Sequence, residues 1–316
     1  METDKCIGGM DMVLYFSKIN ISSTELFNVY NDKNHLLELR KVLSEALKDE
    51  AEYTVEDFYF DAAKQKHDIS TIYKMRIRKR TDEYIYGVIY KNARIYSKIE
   101  NKSTGNIEAK IVPTIEDVYF YFDVTKEIVG FHTRNRFGYN EFNIVFENIL
   151  NSGIKALKQD FACEISLYTE GVNISEIEQK LKSMGNIKQL IFNYKIPNPS
   201  DDFLLDELSK GLDNTVEELE DANAHGMSVI FNSDGKIGLN IESNQIQNNI
   251  RRIDRLHSRV SDKKATKNGY ASVRAIGKNG EIYSTEEEKP IKRIIEHEWE
   301  FLDGCVDTIK SIFSKG

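Results

Sequence analysis

Proline and cysteine are scarce in this chain, 4 and 3 respectively in 316 residues, and each scarcity excludes something. No Pro-rich linker or low-complexity tract divides the sequence. Cys6, Cys163 and Cys305 are far apart and odd in number, which argues against a disulfide framework and for a reduced, cytoplasmic setting. No apolar run approaches the roughly 18 residues that span a bilayer. Residues 1–10 mix both signs of charge around Gly8 and Gly9 without a long apolar stretch, so neither a secretory leader nor membrane insertion is expected.

Catalytic motifs are equally sparse. Neither G-x-x-x-x-G-K-[ST] nor G-x-G-x-x-G occurs, so nucleotide hydrolysis and dinucleotide chemistry have no foothold. The histidines (His35, His67, His132, His225, His257, His297) are scattered, with no H-x-H, H-E-x-x-H or Cys pair to suggest a metal site. No cofactor is implied. One loose match stands out: Arg252 and His257 fit the R-x4-H spacing of metal-independent defence ribonucleases, in which the Arg and His stabilise and protonate groups around a scissile phosphate.

What the chain does have is sorted charge. Its formal net charge is −8 with 40% hydrophobic and 30% charged residues, the composition of a soluble globular protein. Yet residues 64–110 hold 12 Lys and Arg against 5 Asp and Glu, and residues 251–278 hold 9 against 2. Residues 200–224 hold 9 acids against Lys210 alone. An acidic chain can therefore still present two cationic surfaces, and cationic surfaces attract polyanions.

A chain of this length suggests two domains, placed at 1–155 and 156–316. In the first, a strand near residues 11–19 precedes a helix capped at Asn34 and striped with Leu36, Leu39, Leu43 and Leu47. An antiparallel sheet follows over about residues 72–131, with turns expected at 81–83, 91–92 and 103–105, then a helix over 140–150 ended by Gly153. In the second, Ser175 and Glu178 form a capping-box pair and Asn279-Gly280 marks a hairpin. An acidic helix, a basic helix over 244–260 and a closing helix over 291–313 complete the expectation. The class is α+β: an antiparallel-sheet domain with helices, then a ferredoxin-like domain and a C-terminal helix.

The sharpest feature is Lys74, Arg76, Arg78 and Arg80. A strand repeats every two residues, so all four are expected on one face, spaced about as widely as phosphates on a nucleic-acid strand. The alternative is a solvated face balanced by acids such as Asp82, Glu83 and Glu100. On the basic helix Arg251, Arg255 and Arg259 make one stripe with Arg252 beside it. That stripe either holds a polyanion or docks on the acidic segment 201–221, itself a possible contact for another protein. Arg134 and Arg136 sit in a loop beside Gly130 and Gly138, where they reach a phosphate or are simply solvated.

The layout resembles the RexA-like phage-exclusion proteins in three stretches: residues 128–138 leading into a helix, residues 174–199 with Gly185, and Gly269-Tyr270-Ala271 running into the hairpin and terminal helix. The resemblance implies a cytoplasmic homodimer that binds DNA without strong sequence preference and acts in abortive infection through an effector. Together these readings favour a non-enzymatic nucleic-acid-binding protein whose expected ligand is double-stranded DNA, with DNA before RNA. A nuclease using Arg252 and His257, or a sensor using segment 201–221, are the alternatives.

Overall fold

A computed structural model describes residues 12–60, 64–100, 105, 107–196, 198, 214–258 and 270–313. In chain order the elements are β1 (Met12–Ser22), α1 (Leu26–Asn31), α2 (Lys33–Ala46), β2 (Glu52–Phe60), β3 (Lys66–Arg80), β4 (Tyr84–Glu100), β5 (Ile107–Asp123), β6 (Ile128–His132) and α3 (Tyr139–Ala156). Then follow β7 (Ala162–Leu167), α4 (Ile174–Met184), β8 (Ile187–Lys195), α5 (Asn214–Asp221), β9 (Gly226–Asn232), α6 (Asn244–Ser258), β10 (Ala271–Gly277), β11 (Ile282–Ser284), β12 (Lys292–Ile295) and α7 (Phe301–Phe313). Among the described residues no helix is long and apolar enough to cross a membrane.

The strands form two antiparallel sheets. The larger runs β12-β1-β6-β5-β4-β3-β2, with β7 also pairing on β1; the smaller runs β11-β10-β8-β9. The expected boundary near 155 falls at the end of α3, but β7 and β12 lie beyond it and both pair with β1. The ferredoxin-like expectation needs β7 at the start of the smaller sheet. Its absence there leaves β9, α6 and β10 as one β-α-β unit straddling β8. Residues 292–295 are a strand rather than the first turn of the closing helix, and residues 91–92 lie inside β4 rather than in a turn.

Helices α2 and α3 cover the inner face of the larger sheet. The leucine stripe of α2 is buried as its period requires, and the N-cap is Asp32, whose carboxylate accepts from the Asn34 backbone. Phe142, Phe146, Ile149 and Leu150 of α3 pack on Phe120, Phe122 and Phe131, with the Phe131 and Phe142 rings stacked at 3.8 Å. Burying each such side chain contributes about 1.5–3 kcal/mol. Gly153 does not end α3: a Cβ there would lie 1.9 Å from the Ala46 carbonyl oxygen, so the glycine is what lets α2 and α3 touch. This core continues without a break through Ile177 and Leu181 of α4 and Ile250 and Ile253 of α6 onto the smaller sheet. The capping box of α4 is formed by Asn173 and Glu176, two residues before the expected pair.

The outer face is covered in part by α7, whose Phe301, Cys305 and Ile309 pack on Leu14, Phe16, Tyr119 and Tyr121. Cys163 is buried in the inner core and Cys305 in the outer one, and burial raises both thiol pKa values far above the usual range. At the opposite edge, β2 is mostly exposed, Val55, Phe58 and Phe60 included, and only Tyr53 packs against the inner core, stacked on Tyr73.

Strand β1 is completed by a side chain. Beyond its ladder with β6, the Ile19 N–H donates to the Glu127 carbonyl at 2.9 Å. The buried Asn198 amide then accepts from the Ile21 N–H at 3.0 Å and donates to the Ile19 carbonyl at 2.5 Å. It also donates to the buried Glu127 carboxylate, which pairs with Lys18 at 3.3 Å. Truncating Asn198 strands the buried Ile21 N–H and Ile19 carbonyl, at about 1–3 kcal/mol each before relaxation, and leaves the Glu127 carboxylate with Lys18 alone. Asn198→Ala is therefore expected to lose about 3 kcal/mol or more in urea unfolding; a loss under about 1 kcal/mol would remove this role.

His132 joins β5 to β6. Its Nε2 accepts from the Tyr119 N–H at 2.9 Å, and burial, with Arg134 nearby, lowers its pKa to about 4. The unfolded ring titrates near 6.5, so its contribution to stability is intact above that pH and is lost as pH falls toward 4. The loss amounts to roughly 3 kcal/mol. Between pH 7 and 4 the wild type is expected to lose that much more stability than His132→Gln, measured by urea unfolding at each pH; parallel profiles would refute it.

Candidate nucleic-acid interface

The basic strand is β3, and a β-bulge redistributes its charges. Lys74 pairs with Tyr90 and Arg76 with Val88, both facing the outer side. The register then shifts between Ile77 and Lys79, leaving Arg78 as the extra residue and pairing Lys79 with Tyr86 and Arg80 with Ile85. Lys79 thus joins the outer face and Arg80 turns to the inner one. The four cations do not share a face as their spacing predicted.

The outer cations have close partners. Lys74 lies 2.5 Å from Glu50 and 3.1 Å from Glu52, and Arg76 pairs with Glu50 and, at 3.8 Å, with Asp49. These carboxylates come from the turn after α2 and from β2, held against β3 by Glu50 N–H to Met75 O and Met75 N–H to Ala51 O. Arg78 has a different setting: its guanidinium sits 4.8 Å from the centre of the Tyr119 ring and bonds to the Tyr90 and Tyr119 side chains. Lys79 lies 5.2 Å above Tyr84. Each is a cation on an aromatic face, worth about 0.5–1 kcal/mol when exposed.

The patch continues toward the start of α7. The Tyr119 hydroxyl bonds to Glu298; burial first, then this carboxylate, raises the phenol pKa above its ordinary value. Glu298 is followed by Trp299, 76% exposed and stacked on His297 at 3.9 Å with an interplanar angle of 18°. Trp299 is the only tryptophan in the chain. The nearby Glu300 carboxylate is spent on the backbone N–H groups of Glu296 and His297. Lys79, Trp299 and His297 escaped the sequence reading, because neither a bulge nor an aromatic ledge built from distant segments leaves a local pattern.

The other predicted residues are dispersed. Arg134 is 3.8 Å from Asp117 at the edge of the same face, while Arg136 is exposed. On α6, Arg252 Nη2 donates to both carboxylate oxygens of Glu218 of α5, at 2.9 and 3.1 Å, and the guanidinium lies over the Tyr194 ring. The acidic helix thus engages the basic one within the chain, and Arg251 is exposed beside them. Arg255 and His257 fall on α6, but their side chains lie outside the described residues, as do Arg259, Lys263, Lys264 and segment 201–213. Helix α6 packs on an antiparallel sheet rather than in the helical bundle that the R-x4-H chemistry accompanies.

Taken together, the geometry gives one surface where cations and aromatic rings alternate, and a separate basic helix already engaged by an acidic neighbour. Among curated proteins, none matches the chain. A family model described as "Domain of unknown function (DUF4747)" matches residues 62–312, which takes in every strand from β3 onward and all helices from α3 onward. The chain belongs to the DUF4747 family.

Proposed function

We propose that the protein binds nucleic acid on the outer face of its larger sheet, and that single-stranded segments are preferred to duplex. The observation that carries this reading is the placement of Arg78 and Lys79 side by side over Tyr119 and Tyr84, next to the exposed Trp299–His297 stack. Cations that follow a backbone and flat rings that accept bases are the two components of single-strand binding. A duplex held between two basic blocks is less well supported, because Lys74, Arg76, Arg134 and Arg252 are each engaged by a carboxylate. Exposed pairs of this kind are worth only about 0–1 kcal/mol, so phosphate can compete for them, but Glu50 and Glu52 disfavour its approach. The active end of the face is therefore the Arg78–Lys79–Trp299 end.

A role in phage exclusion, as a cytoplasmic homodimer with an effector partner, is a further part of the proposal and rests on the resemblance to the RexA-like proteins. In that role the nucleic acid of an infecting phage is the ligand. No catalytic step is invoked.

Because Trp299 is the sole tryptophan, its fluorescence reports directly on the patch. Titration with a single-stranded oligonucleotide at about 50 mM salt is expected to quench it, and the affinity to fall by about 0.7 log units per phosphate contact for each tenfold rise in salt. Arg78→Glu with Lys79→Glu should weaken binding by about tenfold or more, and Trp299→Ala, which lacks the reporter and is followed by the anisotropy of a labelled oligonucleotide, should weaken it while leaving the salt slope unchanged. Absence of quenching together with unchanged affinity in the double variant would overturn the proposal.

A further inference from the structure

The bulge that removes Arg80 from the outer face delivers it to a cavity on the inner side. This cavity has a volume of about 560 Å³ and is lined by Arg40, Lys41, Ser44 and Glu45 of α2, by Arg80, Thr81 and Asp82 at the β3–β4 turn, and by Leu37 and Thr125. Its size falls within the range of small-molecule sites. Two guanidinium groups from separate elements meet here, and each is positioned by backbone carbonyls rather than by a carboxylate.

Arg80 donates to the Ser44 and Leu47 carbonyls at the end of α2, where a cation meets the negative end of the helix dipole. Arg40 donates to the Thr125 carbonyl at 2.9 Å, and its Nε–H is buried without an acceptor. Carbonyl partners hold a guanidinium in place but do not cancel its charge. The third cation, Lys41, is 3.9 Å from Glu45, a long and exposed pair that contributes little. Of the surrounding hydroxyls, Thr81 is engaged by the backbone of its own turn and Thr125 donates to Asp123, which leaves Ser44 to donate to or accept from a ligand. Glu45 and Asp82 on the same lining are acceptors for ligand hydroxyl groups.

We infer that this cavity binds a hydroxyl-bearing phosphomonoester, such as a sugar phosphate or a 5′-nucleotide. Arg40, Lys41 and Arg80 face the dianion, and Glu45 and Asp82 accept from the hydroxyls. The inference is independent of the nucleic-acid reading, since the cavity lies on the other side of the sheet and shares no residue with the outer patch.

Titration calorimetry of the full chain with ribose 5-phosphate, inorganic phosphate and ribose tests it. Ribose 5-phosphate is expected to bind most tightly, inorganic phosphate more weakly, and ribose not at all at about 10 mM. Ligand binding to the folded state should also raise the melting temperature. Arg80 supports α2, so the variants of choice are Arg40→Gln and Lys41→Gln, each checked for an unaltered circular dichroism spectrum. Each should weaken ribose 5-phosphate binding by about tenfold while leaving oligonucleotide quenching of Trp299 unchanged. Lack of binding by wild type, equal binding of ribose and ribose 5-phosphate, or undiminished affinity in both variants would overturn the inference.

Discussion

The constraint on which this architecture depends is the completion of hydrogen bonding along both edges of β1. This eleven-residue strand, seven of whose residues are buried, needs partners on each side, and no single strand supplies them. One edge is shared by β12, from near the C-terminal end, and β7, from the middle of the chain. The other is shared by β6, the Glu127 carbonyl and the Asn198 side chain. Four distant segments thus converge on one strand, which is why the two sheets share a core and why a cut near residue 155 does not separate them. The buried Lys18–Glu127 pair sits at this junction; Asn198 and Lys18 both donate to Glu127 Oε2, and the buried Oε1 has no hydrogen-bond partner. Such a pair gives little net stability, but removing one partner is costly.

Elements whose burial follows a simple period were legible in the sequence. The leucines of α2, the phenylalanines of α3 and the Asn279-Gly280 hairpin each announce themselves within a few residues. β2 did not, because Glu-Tyr-Thr-Val-Glu-Asp-Phe-Tyr-Phe has no sustained apolar alternation, and most of the strand is exposed. Pairing on β1 made β7 and β12 parts of the larger sheet, a tertiary choice that no local propensity encodes. Of the candidate site, the cationic strand was visible but its split was not. The bulge at Arg78 carries no glycine or proline to mark it, and one extra residue suffices to reverse the facing of everything after it.

The sorted charge of the sequence acquires a different meaning in three dimensions. Acids near 50 meet cations near 75, and Glu218 of the acidic block meets Arg252 of the basic one. The blocks in part compensate each other across the fold. Among the described residues, the cations at the two candidate sites are Arg78 and Lys79, held on aromatic rings, and Arg40 and Arg80, held on backbone carbonyls. In both cases the support positions the charge without neutralising it, so local net charge, rather than the count of basic residues, locates the candidate surfaces.

The placement of Cys163 and Cys305 on opposite faces of the same sheet has a practical consequence. Each thiol is sealed in a separate apolar layer, one beneath α2 and α3, the other beneath α7, where Gly130 leaves room for the sulfur. Alkylating reagents reach either sulfur only when its own layer opens. The molecule therefore carries two internal clocks, and comparing their labelling rates separates the detachment of the terminal helix from the disassembly of the main core.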